Sequence, residues 1–208
     1  MAGAGGQSSS GVRDARRRQI REAAVRVFAE RGYHATRVSD IAAEAGVAHG
    51  LVYHYFASKE DLLREVFRRS WSHLVVGLED IRQGPGSATD RLARVVRLML
   101  GSYRMAPELV RVLVLEVTRS ANLRHEVEEI RTGFATIEAL IRDGQEAGEL
   151  RRDVSPELAS YITWGAIDEV ITAWVLGTLP TTDEEMSAAE RAIVAVVGAG
   201  LAEPAART

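Results

Sequence analysis

Val38-Ser-Asp-Ile-Ala-Ala-Glu-Ala-Gly46-Val-Ala-His-Gly-Leu-Val-Tyr-His-Tyr-Phe56 is the stretch on which the fold turns. Two short helices that pack at a steep angle through a turn of about three or four residues need a small residue where they cross. Ala42 supplies it. Four residues later Gly46 can adopt the left-handed backbone that the turn requires, and Val47 and Val52 can plug a shared core with Ile41. Thr36 is placed to cap the first helix, which should run through Ala45; the second should run from about Ala48 to Tyr53. The spacing predicts a helix-turn-helix.

Working outward, Ile20, Ala23, Ala24, Val27 and Phe28 form a helical stripe within Arg16–Arg31, stopped by Gly32. On the other side Ser58 caps a long helix to about Ile81, with Glu60 and Asp61 where the helix dipole favours acids. After the break at Gln83-Gly-Pro-Gly-Ser87, helices are predicted at roughly 89–104, 107–120, 122–147, 156–176 and 183–200. Ser155 before Pro156, with Gly148 and Gly177 as stops, marks their ends. No stretch alternates as a strand would. The expected fold is all-α with about nine helices: a disordered tail at 1–12, a three-helix helix-turn-helix head at 13–57 and a helical body at 58–203.

Composition narrows the functional classes. Hydrophobic residues make up 46% of 208, enough for a packed core, and no cysteine is present, which excludes thiolate metal sites and suits a reducing cytoplasm. The most apolar run, Ala159–Gly177, is interrupted by Asp168 and Glu169, so a membrane span is not expected. The net charge of −3 is unlike a typical nucleic-acid binder, yet Arg13, Arg16, Arg17, Arg18 and Arg21 crowd one segment beside an acidic body. Neither a nucleophile elbow, a P-loop nor a dinucleotide glycine motif occurs. His125-Glu126 begins a zincin-like string, but Glu129 stands where the second histidine would be needed. Neither enzymatic activity nor a cofactor is expected.

The continuous run from Phe28 to Leu62 resembles the N-terminal domain of TetR-family transcription regulators. The resemblance implies that the second short helix enters the major groove of double-stranded DNA. It implies phosphate-contacting roles for Thr36, Tyr53, His54 and Lys59 and a face toward the bases made by His49, Gly50 and Leu51, with Arg17, Ser39 and Ala48 as further DNA-binding positions. Helix N-termini and lysines attract phosphate, and imidazole can donate to or accept from a base edge. Ala48 and His49 depart from the serine and lysine common in the family. A helix-turn-helix holds few base contacts, so the resemblance also implies a homodimer on a near-palindromic operator, with reading helices about 34–36 Å apart or further.

In the body, Leu109, Val110, Val112, Leu113, Val114, Leu115 and Val117 make one helix apolar nearly all round, which predicts a buried central position. Around it, Phe67, Trp71, Met99, Tyr103, Phe134, Ile137, Trp164 and Ile167 either fill a core or line a cavity for a small hydrophobic effector. Glu116 and Arg119 on that helix must be paired or solvated, because buried charges are costly. The stretches Leu115–Arg124, Gly148–Arg151 and Trp164–Val175 are similar to TetR-type repressors of fatty-acid degradation. That resemblance implies a long-chain fatty acyl-CoA as effector, with Leu115 on the site and Arg119 and Asn122 near its mouth. A rival reading is a regulator of drug efflux that binds lipophilic cations, with Glu116 as counter-charge. Met186, Ala189, Ile193, Val196 and Gly200 recur at heptad-like spacing and, with Ile171 and Trp174, form the expected dimer seam.

Overall fold

The computed structural model describes residues 6–117 and 127–203, which form nine helices and no β-strand. In order they are α1 Gly6–Arg31, α2 Val38–Glu44, α3 His49–Tyr55, α4 Lys59–Gln83, α5 Ala88–Met105, α6 Pro107–Val117, α7 Val127–Glu146, α8 Pro156–Leu176 and α9 Asp183–Leu201. The ends expected near 118–126 lie outside the described residues, as do Arg119 and Asn122.

Local chemistry fixes most boundaries. The Ser58 hydroxyl accepts from Asp61 N at 3.0 Å to open α4, and Ser87 accepts from Asp90 N at 3.1 Å to open α5. The Asp90 carboxylate reaches back to Ser87 N at 3.1 Å, which completes a capping box. Ser155 and Thr182 cap α8 and α9 in the same manner, and α8 stops at Gly177 in left-handed backbone, φ 71°. Between α2 and α3, Val47 N donates to Ala42 O at 3.0 Å and Gly46 N to Ala43 O at 3.1 Å. This is a Schellman closure, and it needs the left-handed Gly46 at φ 61°.

Two expectations about helix starts are corrected. Helix α1 begins at Gly6 rather than Arg16, so residues 6–12 of the expected tail carry helical backbone, while residues 1–5 lie outside the described set. No proline interrupts Gln7–Arg16, and adding a turn to an existing helix costs little once nucleation is done. Helix α2 begins after Arg37, not Thr36, and Arg37 N donates to Asp40 Oδ2 at 2.8 Å. Thr36 sits one position too early to cap it.

Packing produces two apolar clusters. The head cluster joins Ile20, Ala24, Val27 and Phe28 of α1 to Ile41, Val52 and Phe56, and it is closed from below by Leu62, Leu63 and Phe67 of α4 and Val112 of α6. The body cluster runs from Leu78 through α5, α7 and α8 to Ile193 and Val197 of α9. Helix α6 was expected to be engulfed, yet Leu109, Leu113, Val114 and Leu115 remain partly accessible. It lies between the clusters, with Val110 in the body core and Val112 in the head core.

Candidate DNA-reading face and effector region

Helix α3 buries Val52 and turns Ala48, His49, Gly50, Tyr53 and His54 outward. His49 and Tyr53 touch edge to face at 5.2 Å between ring centroids. Tyr53 stays 49% exposed although it is large and partly apolar, and a Cβ added to Gly50 would meet no atom within 4 Å. The bare backbone at Gly50 is therefore not required by packing inside the protein, and it leaves room for something outside to approach closely. Leu51 is half-buried, and Ser39 lies exposed on α2. The turn is braced by Gln19, whose Nε2 donates to Ala45 O at 2.7 Å.

Three residues expected at DNA-binding positions have partners within the protein. Thr36 is 2% exposed and its hydroxyl donates to Gly32 O at 2.8 Å. Lys59 Nζ donates to Tyr33 O at 2.6 Å and Thr36 O at 2.8 Å, with a longer bond to His34 O at 3.4 Å, and lies 4.4 Å from the centroid of the Tyr33 ring. Burial lowers the Lys59 pKa, and Glu116 opposes that shift. Lys59 thus staples the 33–36 loop to the start of α4. The Arg17 guanidinium forks onto Glu65, Nε to Oε1 at 3.2 Å and Nη2 to Oε2 at 3.1 Å, and lies 5.0 Å from the centroid of the Phe56 ring. Arg21 shares the same carboxylate at 3.7 Å. Its pKa is lowered by burial and then by Arg69. All three side chains make bonds within the chain, while Arg17 stays 42% exposed. Their positions follow the family pattern, but side-chain direction is set by neighbours that sequence spacing does not reveal.

The expected effector residues divide. Phe67, expected on a ligand wall, is fully buried in the head cluster. Its ring is 5.7 Å from Trp71, which stacks on Trp164 at 5.3 Å and 11°. Phe134 follows at 4.7 Å from Trp164 and stacks on Tyr161 at 4.4 Å. A row of rings therefore runs from the head core to the surface of α8, with Tyr161, missed in the sequence reading, as its exposed end. The row passes beside Gly133, where a Cβ would lie at ordinary contact distance, 3.4 Å from Trp71 and 3.5 Å from Trp164. Met99, Ile137 and Ile167 are buried in the body core, and Tyr103 packs on Trp174 at 5.3 Å. Leu115 and Glu116 line a crevice of about 260 Å³ between α1 and α6.

The residues expected at a dimer seam divide between the chain's own core and its surface. Ile171, Trp174 and Ile193 are buried within the chain's own core, and Ala189 packs partly against it. The outer face of α9 carries a stripe of small residues, Ala188, Ala192, Ala195, Val196 and Ala199. Val196, kept from the expected set, is 72% exposed. On α8 the outward apolar residues are Leu158, Tyr161, Ile162 and Leu176.

Comparison with known proteins agrees with this architecture. Residues 20–66 match the family described as bacterial regulatory proteins, tetR family, and residues 67–186 match the YsiA-like protein C-terminal region. The fatty acid metabolism regulator protein of Bacillus subtilis is 35% identical over 164 residues, covering 76% of this chain and 82% of that protein. The fatty acid degradation regulator FadR of Bacillus halodurans superposes with a TM-score of 0.81 at 29% identity, covering 89% of this chain and 95% of that one. FadR of Bacillus subtilis in complex with stearoyl-CoA superposes at 0.78 and 30% identity, covering 88% and 97%. No helix among the described residues is long and apolar enough to cross a membrane. With its helix-turn-helix, its helical body and matches across both, the chain belongs to the TetR family of bacterial transcription regulators.

Proposed function

We propose that the protein is a homodimeric repressor that grips a near-palindromic operator with α3 and releases it on binding a long-chain fatty acyl-CoA. The observation that carries the DNA half is the outward face of α3, where Gly50 has open space above it and His49, Tyr53 and His54 surround it. The acyl-CoA half draws on similarity to the fatty acid metabolism regulator of Bacillus subtilis and to a FadR captured with stearoyl-CoA. The apolar body suits such a ligand. Each methylene it buries contributes about 0.8 kcal/mol, so affinity should rise with chain length until the body is filled.

The release mechanism follows from how α4 is shared. Its first turns close the head core at Leu62, Leu63 and Phe67, and Trp71 begins the aromatic row of the body. A ligand that parts the rings would tilt α4 and carry the head with it. In a dimer the separation of the two reading helices would change, and the population would shift away from the operator-competent state. The small-residue face of α9 and the apolar face of α8 would meet their copies.

The test uses an operator duplex selected by the protein itself from random DNA, with binding followed by fluorescence anisotropy. Stearoyl-CoA should release the duplex at concentrations where free CoA does not. Release by a lipophilic cation such as rhodamine 6G, with no response to stearoyl-CoA, would overturn the acyl-CoA assignment in favour of an efflux regulator. Failure to select any duplex would overturn the DNA assignment.

A further inference from the structure

We propose that the crevice between α1 and α6 is a second small-molecule site, separate from the aromatic row, which takes an organic ammonium ion with Glu116 as its counter-charge. The crevice holds about 260 Å³ between Phe28 and Ala29 of α1 and Val112 and Leu115 of α6. This is below the range of drug-sized pockets and suits a ligand of about ten heavy atoms. Glu116 lines it and is only 7% exposed. A carboxylate this little exposed keeps few water contacts, and a cation donating charge-assisted hydrogen bonds would replace them.

The surroundings favour a cation over an anion. The C-terminal end of the 26-residue α1 points its negative dipole end at this region. One cation is already built in alongside: Lys59, bonded to the carbonyls of Tyr33 and Thr36 just past that helix end, feels the charge of Glu116. Each of the two arginines on the lining has a partner within the chain, carboxylates for Arg31 and a backbone carbonyl for Arg111. Arg31 pairs with Asp40 at 3.4 Å and Glu30 at 3.8 Å, and Arg111 donates to Val175 O at 3.2 Å. No group of three metal-ligating side chains occurs among the described residues, which points to an organic cation rather than a metal ion. The apolar walls would cover an alkyl or aryl stem.

One wall belongs to the head and the other to a body helix that also reaches into the head core. Occupancy would therefore wedge the two units directly, without passing through the aromatic row.

The probe is n-hexylammonium, with 1-hexanol as its neutral counterpart, titrated into the full-length protein by isothermal calorimetry. Saturable binding of the ammonium without binding of the alcohol is expected. Glu116→Gln should weaken it by about tenfold or more. Ala29→Met, which fills the crevice without touching a charge, should abolish it even if the glutamine variant folds poorly. Equal binding of amine and alcohol, or amine binding indifferent to both substitutions, would overturn the site. With the site saturated, operator affinity should change by at least about threefold; an unchanged affinity would overturn the wedge. Stearoyl-CoA binding is measured separately on Ala29→Met, so loss of the acyl-CoA response and loss of the ammonium site can be told apart.

Discussion

Replacing Gly50 by alanine should move stability and DNA binding in opposite directions. Gly50 is the second residue of the seven-residue α3, and nothing lies within 4 Å of where its Cβ would sit. Exchanging a helical glycine for alanine in open space contributes about 0.5–1 kcal/mol, because the unfolded chain loses freedom and no contact is strained. For a domain of this size that is a rise of about 1–4 °C in Tm. On DNA the new methyl would stand between the reading helix and the base edges. An overpacked methyl costs about 1–3 kcal/mol, and a dimer carries it twice, so the lower bound near 2 kcal/mol is about a 30-fold loss in affinity. Gly101 in α5 also has open space above its Cβ position and serves as control: its alanine variant should gain similar stability and leave operator affinity alone. Thermal denaturation and fluorescence anisotropy read the two quantities. A Gly50→Ala protein that is stabilised and binds operator as well as before would refute the placement of this face against the groove.

Further outcomes follow from the packing. Gly144→Ala would drive a Cβ to 2.5 Å from Ala88 Cβ and 2.8 Å from Leu150 Cδ1, so urea denaturation should show a loss of about 1–3 kcal/mol; an unchanged midpoint would contradict the described contact of α7 with the start of α5. Lys59→Met removes the donors held by Tyr33 O and Thr36 O and should cost about 1–3 kcal/mol, with Lys59→Arg failing to restore it because the carbonyls converge on a single nitrogen. Full rescue by arginine would point instead to a simple charge effect. Ala195→Glu, on the outer face of α9, should yield monomers in sedimentation velocity, whereas Ile193→Ala should lower stability by about 2–5 kcal/mol through a cavity while leaving association intact. The reverse pattern would return the seam to the Ile193 register.

The helices were legible because their ends are chemically marked. Ser58, Ser87, Ser155 and Thr182 each accept a bond from the first turn of the helix they precede, and Gly32, Gly46, Gly148 and Gly177 all have positive φ. The turn of the helix-turn-helix was readable for the same reason. Direction within a face was harder. On α9, alanines and branched residues alternate so evenly that either of two stripes could point outward, and only packing against α5 and α8 settles that Met186, Ile193 and Val197 go in. Lys59 and Thr36 occupy positions that suggest phosphate, and within the chain they also bond carbonyls of the 33–36 loop and of Gly32, a use that sequence spacing does not reveal. Phe67 read as body because it follows Ser58 in sequence, but one more turn of helix carries it under the head. Such capture by a neighbouring core is a tertiary effect with no local signature.

The floor beneath the head has a practical consequence for anyone exchanging reading heads between relatives. A head cut at residue 57 would lose Leu62, Leu63, Phe67 and Val112, and Ile20, Val27 and Phe56 would face water where that floor had been. Such a fragment should be sticky and loosely ordered in isolation. A transplanted head must bring its own first three turns of α4 and find a residue shaped like Val112 waiting in the recipient. Operator specificity and effector choice can then be inherited separately only by chains that agree on this one shared layer.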